Sequence, residues 1–252
     1  MNSNTESAAA ALDHVRIVLV GTTHPGNIGA TARAMKVMGL SALHLVAPAR
    51  FPSAEATARA AGADDILARA KVHERLEDAL AGVRMVYGTT ARERHIDWPA
   101  QSPREAAAAI AADGDEAAIV FGRERSGLTN EELDRCQRAI HIPTSPTFRS
   151  LNLAQAVQIC AYELRLAHVA GAPAAGALRE GRDPPAAAAE LEGLRAHTLA
   201  VMEAVGYYDP AQPKLLERRL QRLFNRAGLL HSESQILRGF LAAIEQRVSR
   251  DD

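Results

Sequence analysis

Short apolar runs alternate with amphipathic stretches along the first two thirds of the chain. The apolar runs predict five strands, at 15–21, 42–48, 83–89, 117–122 and 139–143. Each run is almost continuously apolar, which is typical of strands in a parallel sheet that is covered on both faces. Helical periodicity predicts helices at 27–38, 53–61, 76–81, 103–112, 130–137 and 152–169. The repeated strand–helix order predicts an α/β fold, an open parallel sheet with helices on both faces.

A change of composition divides the chain after this region. The segment at 171–189 is rich in Gly, Pro and Ala, which predicts a linker. Helical patterns beyond it predict a small helical extension at 190–252, with Ser232 as the N-cap of its last helix. The predicted α/β domain therefore spans 14–170, and residues 1–13 are predicted to be a disordered N-terminal segment.

Composition and charge exclude several classes of protein. The chain has 252 residues, 47% of them hydrophobic, but no run approaches the ~20 apolar residues of a membrane span. Its start lacks the cationic and apolar regions of a signal peptide. Its cysteines, Cys136 and Cys160, and its nine scattered His show no metal-ligand spacing. We expect a cytoplasmic protein without a metal. The formal net charge of −1 leaves nucleic-acid binding to local clusters of Lys and Arg.

The stretch HPGNIGATARAMKVMG, at 24–39, directly follows the first predicted strand. Asn27 is predicted to cap the helix and Gly39 to end it. Arg33 lies off the apolar face of this helix. It is either a solvated surface residue or a group that meets an anion in the crevice at the strand ends, where α/β sheets bind ligands.

Another polar loop, FGRERSGLTNEEL at 121–133, follows the fourth strand. Thr129 or Asn130 can cap its helix, and Glu131 and Glu132 suit the positive end of the helix dipole. The charges of GRER directly abut a buried strand, and no packing argument requires them.

The richest loop, IPTSPTFRSLNLAQAVQICAYEL, begins at the fifth strand. Ser150 is a plausible N-cap of the helix that follows, with Asn152 as an early helical residue. A nucleophilic role for Ser150 is rejected, because it has no G-x-S-x-G context and no nearby His.

Taken in order, these stretches resemble the three signature motifs of the SpoU-type (SPOUT superfamily) RNA 2′-O-ribose methyltransferases. The resemblance covers 14–165. The spacing and the helical extension are most similar to the bacterial enzymes that methylate tRNA cytidine or uridine at position 32 of the anticodon loop. The resemblance implies a C-terminal trefoil knot in the α/β domain, S-adenosyl-methionine as cofactor, tRNA as partner and a homodimer.

The motifs also assign residues. Those matched to catalysis are Asn27, Arg33, Glu124, Ser150 and Asn152. Those matched to the cofactor are Thr89, Thr90, Ala91, Gly122, Ile142, Ser150 and Leu151. A guanidinium stays protonated, so we expect Arg33 to grip a phosphate and stabilise a developing alkoxide, with the proton passing to phosphate or water. Arg149 departs from the family pattern, because close relatives often have a small or hydroxyl residue there.

RNA binding is predicted for the helical extension. Its middle helix carries basic residues at i, i+4 spacing: Lys214, Arg218, Arg222 and Arg226. These residues either contact RNA phosphates or form a solvated face. The rival functions are the same reaction on rRNA or another tRNA position, and a non-catalytic RNA-binding protein. An NTPase is opposed by the missing Walker lysine.

Overall fold

The computed structural model describes residues 12–91, 100–170, 183–213 and 215–251. The chain divides into two compact units, Met1–Glu180 and Gly181–Asp252. Within the described residues, the first unit holds the sheet and the second consists of helices and their connections.

The sheet of the first unit has seven parallel strands among the described residues. They are β1 (Val15–Val20), β2 (Ala42–Val46), β3 (Lys71–His73), β4 (Met85–Thr89), β5 (Ala100–Gln101), β6 (Ala117–Phe121) and β7 (Arg138–Ile140). Their order is β3-β2-β1-β6-β4-β7-β5. The predicted α/β class and parallel sheet are confirmed. The prediction omitted β3 and β5, because these short edge strands contain no apolar run.

The first six helices of the first unit lie between these strands in the chain, and the seventh follows β7. They are α1 (Pro25–Met38), α2 (Ala54–Ala60), α3 (Asp64–Arg69), α4 (Leu76–Ala79), α5 (Pro103–Asp113), α6 (Asn130–Asp134) and α7 (Leu153–Val169). The prediction missed α3, which is six residues long and buries only Ile66 and Leu67, too few to show a helical period.

The start of α1 differs from the prediction. Pro25 occupies the first turn, where its missing N–H costs nothing, and His24 is the N-cap without a side-chain hydrogen bond. Asn27 therefore lies inside the helix and does not cap it. Gly39 ends the helix as predicted, in a left-handed conformation with φ of 80°. At α6 the cap is Thr129, which forms a reciprocal capping box with Glu132.

The core joins the inner faces of the strands to α1 and α7. Ile17, Ile28, Met35 and Val157 are fully buried in it. Leu12 also belongs to this core, so the boundary predicted for the disordered segment, 1–13, is wrong at its end. Residues 1–11 lie outside the described residues.

The second unit contains α8 (Ala188–Ala204), α9 (Leu216–Ala227) and α10 (His231–Asp251). The predicted linker, 171–189, is too long. The amide of Ala186 donates to Leu229 O at 2.8 Å, and that of His231 donates to Pro184 O at 2.7 Å. These backbone hydrogen bonds attach a segment of linker-like composition to the helices. Residues 171–182 lie outside the described part of the chain.

Ser232 is not the N-cap predicted for the last helix. That helix begins one residue earlier, at His231, and the amide of Ser232 donates to both carboxylate oxygens of Asp183, at 3.1 and 3.2 Å. Glu233 instead accepts from the amide of Leu230 at 2.8 Å, as an acidic residue at the third helical position does.

Candidate active site

The loops that carry the sequence motifs meet at one edge of the sheet. In the sheet β6 lies between β1 and β4, and β4 lies between β6 and β7. Leu19 pairs with Phe121, and Thr89 pairs with Ile140, so these strands end at similar heights. The loops after β1, β4, β6 and β7 therefore leave the sheet side by side, although the sequence separates them widely.

A cavity of about 590 Å³ opens at these strand ends, within the usual range for small-molecule sites. Its lining includes all seven residues that were matched to the cofactor: Thr89, Thr90, Ala91, Gly122, Ile142, Ser150 and Leu151. Sequence reasoning missed other lining residues, among them Phe121, Arg125, Leu128 and Ile140. Phe121 and Ile140 end buried strands and Leu128 follows a turn, so the sequence pattern predicts only core positions for these three residues.

Gly122 shapes one wall of this cavity. A Cβ atom there would lie 2.1 Å from both the carbonyl carbon of Gly127 and the nitrogen of Leu128, so only glycine fits. The loop folds back because Arg123 and Gly127 exchange two backbone hydrogen bonds, of 3.2 and 2.9 Å. On the neighbouring strand, the hydroxyl of Thr89 donates to Val120 O at 3.0 Å and ties β4 to β6.

Two of the charges in GRER have structural contacts that the sequence did not indicate. The guanidinium of Arg123 donates two hydrogen bonds, both of 3.0 Å, to the carboxylate of Glu132. It also packs on Gly21, where a Cβ would lie 2.8 Å from its Nε. Glu124 accepts hydrogen bonds from α1 and from the loop that precedes it. Arg125 is exposed and lines the cavity.

The carboxylate of Glu124 accepts hydrogen bonds from several donors near the start of α1. The amides of Thr23 and His24 donate to it at 3.2 Å, and the Thr23 hydroxyl and Asn27 Nδ2 donate at 3.0 Å. Burial of the carboxylate acts to raise the pKa of Glu124. The hydrogen bonds from Asn27, from its own amide and from His24 and Thr23 outweigh burial and lower that pKa to about 2. Glu124 is therefore an ionised anchor.

Asn152 extends this network to α7. Its Oδ1 accepts from the amides of Ala154 and Gln155, at 2.9 and 3.4 Å, so Asn152 is the N-cap of α7. Its Nδ2 donates to Asn27 Oδ1 at 3.0 Å. The prediction of Ser150 as the cap is wrong, because the helix begins at Leu153 and only Asn152 is placed to reach its first amides.

A second cavity, of about 440 Å³, lies on the other side of this network. It is lined by His24, Gly26, Asn27, Ala30, Glu55, Arg59 and Asn152. Asn27 and Asn152 line this cavity, and Glu124, Ser150 and Leu151 line the first one. The two cavities thus meet at the Asn27–Glu124–Asn152 network.

The second cavity depends on close packing between α1 and α2. A Cβ on Gly29 would lie 2.0 Å from Ala56 O, so the two helices touch through backbone atoms. Gly29 of the first motif thus allows α2, a helix of the same unit, to pack closely against α1. This packing places Glu55 and Arg59 at the cavity, and no sequence pattern indicates either residue.

Arg33 is exposed and makes no hydrogen bond or ion pair within the described residues. It lies three positions after Ala30 on α1, and residues at this spacing are neighbours on one helix face. Arg33 therefore flanks the second cavity from the same face without lining it.

In the described part of the chain, no group of three or more His, Cys, Asp or Glu side chains is arranged to hold a metal.

Comparison with known families agrees with this arrangement. The profile of the SpoU rRNA Methylase family matches residues 14–162. This chain belongs to the SpoU methylase family. A second profile, that of the C-terminal domain of the tRNA methyltransferase TrmJ, matches residues 189–252.

Individual SpoU methylases match over most of the chain. The tRNA (cytidine/uridine/adenosine-2′-O-)-methyltransferase TrmJ of Pseudomonas aeruginosa is 49% identical, over 95% of this chain and 96% of its own. The crystal structure of TrmJ from Z. mobilis is 34% identical, with a TM-score of 0.80, and covers 91% of this chain and 98% of its own. An AdoMet-bound rRNA methyltransferase from Sinorhizobium meliloti is 25% identical, with a TM-score of 0.50, over 60% of this chain and 56% of its own.

The SpoU motifs also locate the departure from the family pattern. Arg149 is exposed at the rim of the first cavity, next to Ser150, and the described residues offer it no hydrogen bond.

The trefoil knot that the family implies stays a prediction. None of the helices within the described ranges is long and apolar enough to span a membrane.

The basic residues predicted to bind RNA lie on α9 of the second unit. Lys214 falls outside the described residues. Arg218 and Arg222 are half-buried, whereas Arg226 is exposed. Arg219, which the i, i+4 pattern omitted, is exposed as well. The exposed arginines in the described part of α9 are therefore Arg219 and Arg226, seven residues apart on one face, and only Arg226 belongs to the predicted set.

Proposed function

We propose that this chain transfers a methyl group from S-adenosyl-methionine to a ribose 2′-oxygen of tRNA, at cytidine or uridine 32 of the anticodon loop. The observation that carries the proposal is the pair of cavities joined by the Asn27–Glu124–Asn152 network. One cavity suits the methyl donor, and the other lies where a ribose can approach it.

The first cavity fits S-adenosyl-methionine by its size and its lining. Apolar side chains at Ile142 and Leu151 suit an adenine ring, and hydroxyls and backbone groups at Thr89 and Thr90 suit its polar edges. The close approach of backbone at Gly122 leaves room for a ligand against the loop. When bound, S-adenosyl-methionine supplies a methyl group on a positively charged sulfur. The AdoMet-bound structure of the Sinorhizobium relative supports this assignment.

The network residues are proposed to orient the reactants. Glu124 fixes the loop after β6 against α1, and Asn152 fixes the start of α7 against Asn27. Arg33 is proposed to bind the phosphate beside the target ribose and to stabilise negative charge on the 2′-oxygen. Its exposure and its lack of a partner in the described residues leave all its donors available.

Substrate choice rests on the second unit and on the relatives. The Pseudomonas relative is named as a tRNA 2′-O-methyltransferase for cytidine, uridine and adenosine. The TrmJ C-terminal profile covers the helical unit of this chain. The exposed arginines of α9 support phosphate contacts. A tRNA substrate agrees with the expected cytoplasmic location.

We also propose a homodimer. Tyr162, Leu166 and Val169 on α7 are 48%, 40% and 66% exposed, and their spacing places them on one helix face. An apolar stripe of this kind on a central helix supports contact with a second copy.

The direct test is tandem mass spectrometry of RNA fragments. Purified protein and S-adenosyl-methionine are incubated with unmodified tRNA transcripts, and the products are digested to oligonucleotides. A gain of 14 mass units on the ribose of nucleotide 32 is expected. A methylated ribose elsewhere in tRNA would correct the position. Methylation of rRNA but not of tRNA, or no transfer at all, would contradict the proposal.

A further inference from the structure

The proposed reaction needs a group that accepts the proton of the 2′-hydroxyl, and most side chains at the site cannot do so. The amides of Asn27 and Asn152 are not bases, and the guanidinium of Arg33 stays protonated. The carboxylate of Glu124 already accepts hydrogen bonds from Thr23, His24 and Asn27. A carboxylate with a pKa of about 2 is also a weak base at neutral pH.

His24 lies where the two cavities meet. Its amide donates to Glu124 Oε1 at 3.2 Å, which fixes its backbone beside the first cavity. His24 lines the second cavity together with Asn27 and Asn152, and the residue is exposed. As the N-cap of α1 it makes no capping hydrogen bond, and it has no ion pair within the described residues. The imidazole is therefore available to a ligand.

We propose that His24 is the general base of methyl transfer, an inference that rests on the proposed function. An imidazole nitrogen takes the proton of the 2′-hydroxyl as the 2′-oxygen forms a bond to the methyl carbon. The carbon–sulfur bond breaks, and its electron pair stays on the sulfur. The products are a 2′-O-methyl ribose, the neutral thioether and an imidazolium, which then releases its proton to water. Histidine suits this step because its ordinary titration range lies near neutral pH.

Charged residues line or flank the cavity that His24 lines. Glu55 and Arg59 of α2 line the same cavity, and Arg33 flanks it on α1. Glu124 lies beneath the His24 backbone. Glu55 and Glu124 attract the imidazolium formed in the reaction, whereas the two arginines and the N-terminus of α1 favour its release of the proton. Glu55 is the competing base, so the test must separate it from His24.

The test is the single-turnover rate of methyl transfer to tRNA, measured from pH 5 to pH 9 with saturating S-adenosyl-methionine. We expect the wild-type rate to fall about tenfold per pH unit on the acid side, because a protonated base cannot accept the proton of the 2′-hydroxyl. His24→Asn should lower the neutral-pH rate by about 10²–10⁴-fold and abolish that acid limb. Asparagine is also a preferred N-cap, so this variant should keep α1 intact.

Three further variants make the result specific. Free imidazole should restore part of the rate of His24→Ala, since it can replace the missing base. His168→Asn serves as the matched control, because its position on α7 is roughly 22 Å along the helix from Leu153. Glu55→Gln should retain the acid limb.

The outcomes distinguish this inference from the proposed function. An active wild type whose acid limb persists in His24→Asn, or is lost in Glu55→Gln instead, would overturn the role of His24 alone. A wild type that transfers no methyl group to tRNA would contradict the proposed function and this inference with it. Melting temperature and S-adenosyl-methionine affinity equal to wild type show that a slow His24 variant is folded.

Discussion

Asn27 Nδ2 donates a hydrogen bond of 3.0 Å to Glu124 Oε1, although 97 positions separate the two residues in the chain. The contact joins the first helix to the loop after β6, across the edge of the sheet where both cavities open. It also explains why a carboxylate can lie there, because four donor groups, including Asn27 Nδ2, stabilise its ionised form. The relationship can be tested through its effect on stability.

The substitution Glu124→Gln should remove a pH-dependent contribution to folding. The pKa of Glu124 in the folded protein is about 2, below its ordinary 4.5, so the folded state binds this proton less readily than the unfolded state. Its contribution is present above about pH 4.5 and is lost as the pH falls toward 2. Urea denaturation should show wild type more stable than Glu124→Gln by about 1–2 kcal/mol at pH 7, after allowance for solvent screening.

That difference should shrink as the pH falls through this window. Glu131→Gln is the matched control, because Glu131 is exposed at the start of α6 and accepts no hydrogen bond in the described residues. A stability gap between wild type and Glu124→Gln that stays constant from pH 7 to pH 3 would show that the network does not hold the charge.

Arg33→Ala should reduce the single-turnover rate of methyl transfer by at least about 10²-fold and leave the affinity for S-adenosyl-methionine within about twofold. The physical reason is that Arg33 flanks the second cavity and does not line the first. Arg33→Lys should remain strongly impaired, because an ammonium lacks the planar pair of donors. Affinity is measured by titration calorimetry. If a folded Arg33→Ala protein no longer binds S-adenosyl-methionine, Arg33 acts on the cofactor and the prediction is wrong.

Gly29→Ala should destabilise the first unit, because its Cβ would lie 2.0 Å from Ala56 O. We expect a loss of about 1–3 kcal/mol or more in the free energy of unfolding, as for other overpacked contacts. Gly239→Ala is the matched control: it is also helical, and no atom lies within 4 Å of its added Cβ. That control should be neutral or stabilise by up to about 1 kcal/mol. Equal effects of the two substitutions on thermal denaturation would argue against the backbone contact.

Neutralising the exposed cations of α9, with Arg219→Ala and Arg226→Ala together, should flatten the salt dependence of tRNA binding. Each lost contact to a duplex phosphate should reduce the slope of log affinity against log salt by up to about 0.9, and less for a single strand. Arg69→Ala, which removes an exposed arginine paired with Asp65 on α3, is the control. If fluorescence titrations give the double variant the wild-type slope, α9 presents only a solvated face.

The central strands could be predicted from the sequence because burial on both faces leaves a continuous apolar run. Val15–Val20 and Ala117–Phe121 are nearly or fully buried, and each stood out as such a run. The seven residues that the family resemblance matched to the cofactor also line one cavity, since each lies at or beyond the end of a strand. Edge strands such as Ala100–Gln101 have no such run, so pattern alone misses them.

The residues around the second cavity could not be predicted, for a different reason. Glu55 and Arg59 belong to a short surface helix, and the packing of α1 on α2 at Gly26 and Gly29 places them at the cavity that Asn27 lines. Nor does local sequence show that Asn27 donates to Glu124 when it could cap a helix. Residue preferences favour Asn27 as an N-cap. In the structure His24 is the N-cap, and Asn27 donates a long-range hydrogen bond to Glu124 instead.

Asn152 shows how tightly folding and chemistry are linked at one position. Its side-chain oxygen accepts a hydrogen bond at the N-terminus of α7, and its side-chain nitrogen donates one to Asn27. Aspartate would keep the acceptor but lose the donor, and would bring a second negative charge toward Glu124. Alanine would lose both. Aspartate and alanine both break the contact to Asn27, and only aspartate keeps the N-cap of α7, so a search for altered activity should leave position 152 untouched and vary its neighbours.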